Sequence, residues 1–228
     1  MSGPGPVRAV LLDALGTLLR LEPPAPALRR ELAARGVEVD AATAEAGMAA
    51  EIAYYRAHNL EGGDRAALAG LRRRCAQVLR EALGTPAPDR VVHDSLLAAL
   101  RFNAYPDALP ALARLRAAGL RTVVVSNWDV SLHDRLAETG IAHRVDGAIA
   151  SAELGTAKPG RAIFAHALTM AGVTPEQAVH VGDSPEADVA GARGAGIAPV
   201  LVARDNPPPD AGDVPTIRSL AELPGLVA

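Results

Sequence analysis

Four short stretches of the 228-residue chain carry side chains that could do chemistry together. Asp13-Ala14-Leu15-Gly16-Thr17 sets a carboxylate, a glycine turn and a hydroxyl in succession, an arrangement that can present an oxygen nucleophile. Ser126-Asn127-Trp128 offers a hydroxyl and backbone N–H groups at a strand-to-helix junction, where an anion's oxygens can be held. Ala157-Lys158-Pro159 places an ammonium just ahead of a helix. Gly182-Asp183 and Asp188 add two carboxylates, which would repel Asp13 unless a cation sat among them. Few, hard oxygen ligands with room for water suit Mg²⁺. Plainer readings exist for each: Asp13 ending a strand, Ser126 capping a helix, Asp183 and Ser184 capping another. Lys158 stands apart, because it is the only lysine among 23 basic residues. In an arginine-rich chain, a lone lysine marks a position where the planar guanidinium will not serve.

These residues matter only if the fold gathers them. Continuous apolar runs predict strands over 8–12, 122–125, 148–150, 178–181 and 199–202, with the character of strands buried on both faces. Helices are expected over 107–118, 131–139, 159–171 and 185–195, with glycine at or near each stop. Strand alternating with helix means βαβ units and an α/β parallel sheet. The four stretches then sit at the carboxyl ends of strands, where open α/β sheets bind ligands. One region breaks the alternation. From 21 to 102 only helical periodicity is visible, with one apolar stripe at Leu71, Cys75, Val78, Leu79 and Leu83 and another at Val91, Leu96, Leu97 and Leu100. The expected organisation is a Rossmann-like catalytic core, 1–20 and 103–228, interrupted by a helical cap domain over 21–102. The stretch 206–215 reads as a loop before a short terminal helix.

Composition narrows the class. Twenty-three basic and 26 acidic residues give a net charge of −3, so no basic excess exists to meet nucleic acid or an anionic membrane. Hydrophobic residues make up 49%, enough for a substantial core. A single cysteine, Cys75, excludes an internal disulfide framework and a multi-cysteine zinc site. No apolar run approaches a membrane span, and the opening MSGPGPVR lacks a secretory apolar stretch. The expectation is a cytoplasmic protein acting on a small molecule; the sequence assigns neither that molecule nor an oligomeric state.

The four motifs, in this order and spacing, resemble those of the haloacid dehalogenase (HAD) superfamily, in the subgroup with a helical cap inserted after the first strand. The resemblance implies a Mg²⁺-dependent phosphohydrolase. It makes Asp13 the nucleophile that forms an aspartyl-phosphate, and the Leu15 carbonyl and Asp183 metal ligands, with Asp188 in support. Ser126 and Lys158 would bind the transferring group, with Thr17, Asn127 and Trp128 as further substrate contacts. Trp128 could equally pack beneath the cap. Where the resembling phosphatases carry a second aspartate that protonates the leaving oxygen, this chain has Leu15. A general acid-base group contributes roughly 10² to 10⁴ in rate, so activity should be weakest on poor leaving groups such as alkyl phosphates. Glu22, Tyr54, Tyr55 and His58 are candidates to replace the missing acid.

Three other branches compete. The 2-haloacid dehalogenases also lack that aspartate, but need no Mg²⁺, usually lack the Gly182-Asp183 pair, and carry a tyrosine where Phe164 stands. They also use a cap arginine about thirty residues after the nucleophile; Arg35 fills that role only with a gap. The phosphonoacetaldehyde hydrolases need a cap lysine, which this chain does not have. A catalytically impaired binding protein of the same fold is the third alternative. Retention of Asp13, Ser126, Lys158, Asp183 and Asp188 argues against it. His93, His133, His143, His166 and His180 show no metal-binding spacing and read as solvated or satisfied residues.

Overall fold

The computed structural model describes residues 6–204 and 212–227. In chain order the core begins with β1 (Ala9–Leu12) and β2 (Leu19–Leu21). Four helices follow: α1 (Pro24–Ala33), α2 (Ala41–His58), α3 (Arg65–Leu83) and α4 (Asp89–Ala99). The chain returns through β3 (Phe102–Ala104) and α5 (Ala108–Ala117) to β4 (Arg121–Ser126) and α6 (Leu132–Glu138). Next come β5 (Gly147–Ala150), α7 (Ser151–Leu154), α8 (Arg161–Ala171) and β6 (Ala178–Gly182). A wide turn of helix over Pro185–Ala190 leads into α9 (Gly191–Gly194), β7 (Ala198–Val202), β8 (Thr216–Ile217) and α10 (Pro224–Val227).

Six strands form one sheet in the order β5-β4-β1-β6-β7-β8, every neighbouring pair parallel. The sequence of β1 explains its central place. All four residues are apolar and buried, and they alternate between two clusters. Val10 and Leu12 face Leu112, Leu132 and Val181, while Ala9 and Leu11 face Ile163, Phe164 and Ala192. Helices thus cover both faces, as a buried parallel sheet requires. Strands β4 and β5 extend the sheet to one side of β1, and β6, β7 and β8 to the other. That reversal beside β1 makes a switch point, where loops diverge and leave a crevice at the carboxyl ends.

The α/β sheet matches the expected fold class, and the five predicted strands appear within a residue of their bounds. Missed were β8 and a two-stranded antiparallel ribbon, in which β2 pairs with β3 where the chain leaves and re-enters the core. Its strands are three residues long and mostly half-buried, too short to show alternation. The helical insert has its own apolar cluster, including Leu28, Leu32, Met48, Leu71, Leu79 and Leu96. Asp40 and Asp64 cap α2 and α3 through their side chains, and Gly84 ends α3 at a φ of 59°. The first expected stripe holds, apart from Val78, which is only half-buried. The second is mis-phased: Val92, Leu96 and Ala99 are buried, whereas Val91, Leu97 and Leu100 lie at its edge. No helix among the described residues is long and apolar enough to cross a membrane. The expected loop over 206–215 falls largely outside the described residues, as does the start of MSGPGPVR.

Candidate active site

Three strand ends build the site. Leu12 of β1 is followed by Asp13, whose N–H donates to the Val181 carbonyl of β6 at 2.9 Å, so the neighbouring strand fixes the carboxylate's base. Ser126 closes β4 and donates through Oγ to Asp13 Oδ1 at 3.1 Å. Lys158 lies just before α8, and its Nζ donates to the same Oδ1 at 2.6 Å and to Asp188 Oδ1 at 2.6 Å. All four residues are buried. Among the described residues, Asp13 Oδ2 receives no hydrogen bond from any side chain.

Asp188 is more fully enclosed. Its Oδ1 also accepts from His180 Nε2 at 2.8 Å, and its Oδ2 accepts the Ser184 N–H at 3.0 Å. Gly182 makes this packing feasible, because a Cβ there would collide with the Asp188 carboxylate. Gly16, at a φ of 87°, does the same for Asp183, whose carboxylate occupies the space a Cβ would fill. Carboxylate oxygens of Asp13, Asp183 and Asp188 all lie within 4.8 Å of one another.

Electrostatics follow from this crowding. Burial raises Asp13 from the ordinary carboxyl range to about 6, with Asp183 and Asp188 adding to the rise and Lys158 opposing it. Burial also raises Asp183, and Asp188 reinforces it. Burial works against Asp188 too, but Lys158 and His180 outweigh it and hold that carboxyl well below its usual range. Lys158 goes up, its burial overcome by Asp13 and Asp188. Burial lowers His180 despite the pull of Asp188. Two carboxyls pushed upward beside one ammonium is an environment with more negative charge than its own residues balance. The donor set is all oxygen and fits a hard divalent cation.

Other predicted residues take different places. Asn127 has both ends of its amide engaged with the Lys158 backbone: Nδ2 donates to the carbonyl at 2.9 Å, and Oδ1 accepts the N–H at 2.8 Å. It braces the lysine's backbone. Thr17 is wholly buried, and its Oγ1 has no partner among the described residues. Trp128 is also buried, its ring 5.0 Å from that of Phe102. Leu15 is 36% exposed, an apolar side chain two residues after Asp13. Among the described residues, none of the four candidate acids hydrogen-bonds to Asp13, Lys158, Asp183 or Asp188. Glu22 accepts from Asn103, His58 Nδ1 meets the Tyr54 carbonyl, Tyr54 accepts from Arg74, and Tyr55 donates to Asp129.

Sequence reasoning missed three features. His180 is a buried partner of Asp188, signalled only as the one polar side chain in an apolar strand. Asp129 joins the core to the insert, accepting from Tyr55 Oη at 2.8 Å. Arg204 gave no signal, since its partners are far away in sequence. It donates to the Gly16 and Thr17 carbonyls and to both oxygens of Asp107, and stacks 3.6 Å over the Tyr105 ring. The loop after Asp13 is thereby tied to the segment that re-enters the core.

A parallel α/β sheet thus gathers a buried carboxylate, an ammonium and an acidic cluster at its carboxyl edge. A family model described as "haloacid dehalogenase-like hydrolase" matches residues 7–196, and the chain belongs to that family. Among curated proteins it is 36% identical over 144 residues to a phosphoserine phosphatase of Thermus thermophilus, covering 62% of this chain and 58% of the relative. It is 38% identical over 128 residues to a glyceraldehyde 3-phosphate phosphatase of Methanopyrus kandleri, covering 54% of each. The chain thus spans little more than half the length of these relatives. Among solved structures, a 2-haloacid dehalogenase from Pseudomonas syringae superposes with a TM-score of 0.67 at 26% identity, over 96% of this chain and 97% of that one.

Proposed function

We propose that this HAD-family hydrolase is a Mg²⁺-dependent phosphatase of the cytoplasm, acting on a small phosphorylated metabolite through an aspartyl-phosphate on Asp13. One observation carries the reading: the carboxylate oxygens of Asp13, Asp183 and Asp188 converge within 4.8 Å. A dehalogenase needs no such cluster, whereas a phosphatase must bring a polyanion up to a carboxylate. The similarity to two phosphatases supports the same choice.

Asp13 and Asp183, with the Leu15 carbonyl, would hold the metal, and Asp188 would support it through Oδ2, which accepts one N–H. Bound there, Mg²⁺ would offset negative charge on the phosphoryl oxygens. The Asp13 carboxylate attacks phosphorus and the substrate's bridging oxygen departs. Lys158 and Ser126 orient the nucleophile through Oδ1, and the Lys158 ammonium stabilises the charge developing on the transferred group. Water then hydrolyses the acyl phosphate. Leu15 can neither protonate the departing oxygen nor activate that water, so substrates with good leaving groups react fastest. The insert, docked through Tyr55 and Asp129, is the cap that covers the site and selects the substrate.

The test is phosphate release from acetyl phosphate, p-nitrophenyl phosphate and an alkyl phosphate, with and without Mg²⁺. Expected is Mg²⁺-dependent turnover that Asp13→Asn lowers on the order of a thousandfold or more. Leu15→Asp should raise the alkyl phosphate rate by about tenfold to a hundredfold, with little change for acetyl phosphate. The likeness to a dehalogenase, together with Leu15 in place of the acid, favours a second reading. Metal-independent halide release from 2-chloropropionate, without phosphate release, would establish that reading instead.

A further inference from the structure

His180 sits in the middle of β6, flanked by Ala178, Val179 and Val181, and is wholly buried. Its ring meets Phe164 edge-on at 5.0 Å. Nε2 bonds Asp188 Oδ1 at 2.8 Å, but Nδ1 has no partner among the described residues. An orphaned buried polar atom disfavours the fold, and an apolar side chain at this position would avoid that cost. The imidazole is therefore poor core packing, and the Nε2–H bond is what it provides.

That bond lands on a shared atom. Asp188 Oδ1 accepts from both His180 and Lys158, and Lys158 Nζ divides its donors between Asp188 and Asp13. We infer that His180 is a positioning residue: it anchors Asp188 from the core side, so that the carboxylate holds Lys158 against the nucleophile without drawing it away. His180 touches no reacting atom and acts only through Asp188 and Lys158. Such outer partners, when lost, typically cost tenfold to a hundredfold in activity.

The composition supplies a direct probe. Lys158 is the only lysine, so protein labelled with ¹⁵N-lysine has one side-chain Nζ resonance. Three variants are compared with the parent chain. His180→Leu removes the donor, His180→Gln keeps a donor close to the Nε2 position, and Phe164→Leu loosens the same packing without touching the bond. The Nζ signal should be sharp and slow to exchange with solvent in the parent and in Phe164→Leu. It should broaden and exchange at least roughly tenfold faster in His180→Leu, and recover in His180→Gln. In kinetics, His180→Leu should lower kcat roughly tenfold to a hundredfold with KM little changed, and His180→Gln should restore most of it.

An Nζ signal in folded His180→Leu like that of the parent overturns the proposal. So does the same loss in Phe164→Leu, which would make the effect one of packing. If His180→Leu does not fold, an Nζ signal in His180→Gln like that of the parent supports the role and a lost one overturns it. The kinetic arm rests on the phosphatase reading and the spectroscopic arm does not. A chain inactive on phosphate esters would refute the former reading while leaving this one decided by the lysine signal.

Discussion

At the carboxyl edge of the sheet, three carboxylates and an ammonium crowd together, fixed by strand ends whose spacing the neighbouring strands dictate. The four-helix insert instead concentrates apolar residues such as Leu28, Met48, Leu71 and Leu79 in a cluster of its own. Removing a charge at the first region should therefore change chemistry. Changing a contact at the second should change how substrate is bound and released. The insert does contain buried titratable groups, but they face each other. Burial raises the Glu51 carboxyl, and raises the Cys75 thiol to about 12, so that thiol is not a ready nucleophile at neutral pH.

Lys158→Arg probes this contrast most sharply. The guanidinium is larger and planar, and cannot place one donor on Asp13 and another on Asp188 in a pocket shaped for a point charge. Turnover should fall by about a hundredfold while the fold persists, as measured by steady-state kinetics and thermal melting. Lys158→Met should be worse for stability, because two buried carboxylates lose their common partner, at about 3–5 kcal/mol. Wild-type activity in the arginine variant would show that the lone lysine has no special role at this edge.

Metal and pH should act on the core edge and leave the insert alone. In the metal-free fold Asp13 holds its proton up to about pH 6, whereas the unfolded chain releases it near 3.8. Below 3.8 the group is protonated in both states and contributes nothing. Between 3.8 and about 6 it increasingly destabilises the fold, because there the unfolded chain ionises and the folded one does not, and above 6 the penalty stays constant. Asp188 behaves oppositely, since its stabilisation is present above 3.8 and is lost as pH falls below that value. Mg²⁺ should raise the melting temperature by a few degrees at pH 7.5, and the increment should vanish near pH 5, when Asp13 is protonated. Scanning calorimetry at the two pH values checks this, and an increment that survives at pH 5 would place the metal elsewhere.

The same contrast explains what was legible in the sequence. Strand ends are marked by a change from apolar run to polar residue, so Asp13, Ser126 and Asp183 could be placed on one edge before any coordinates. Lys158 was marked by composition. Asn127 and Trp128 were found at the right junction, but the contacts of their side chains were not legible. A sequence shows that an amide is near a lysine, not that both its ends close on the lysine's backbone. Arg204 and Asp107, 97 residues apart, carried no local sign of pairing. The ribbon of β2 and β3 was invisible for a related reason, since three-residue strands have too few positions to show a period. Contacts of the insert with the core fell in the same blind spot, because they depend on how separate surfaces meet.

Tyr55 is the clearest of those contacts. It lies on the last turns of α2, and its hydroxyl donates at 2.8 Å to Oδ2 of Asp129, three residues beyond Ser126. Around it, Asn59 Nδ2 reaches the Asn127 carbonyl at 3.4 Å and Arg65 pairs with both oxygens of Asp134. The Val130 N–H donates to the Gly62 carbonyl at 2.9 Å. Burial and the nearby Asp129 carboxylate push the Tyr55 hydroxyl far above its usual range, so it stays a donor throughout the working pH range. Tyr55→Phe keeps the ring and removes that one bond, leaving a buried carboxylate oxygen without its donor. A loss of about 1–2 kcal/mol in docking follows, enough for a roughly five- to thirtyfold rise in KM if substrate binding requires the closed arrangement. The chemical step should change less, because the Asp13 cluster is untouched. A fall in kcat with KM unchanged would mean that the insert shapes the reacting groups themselves, and the division between a chemical edge and a binding insert would have to be abandoned.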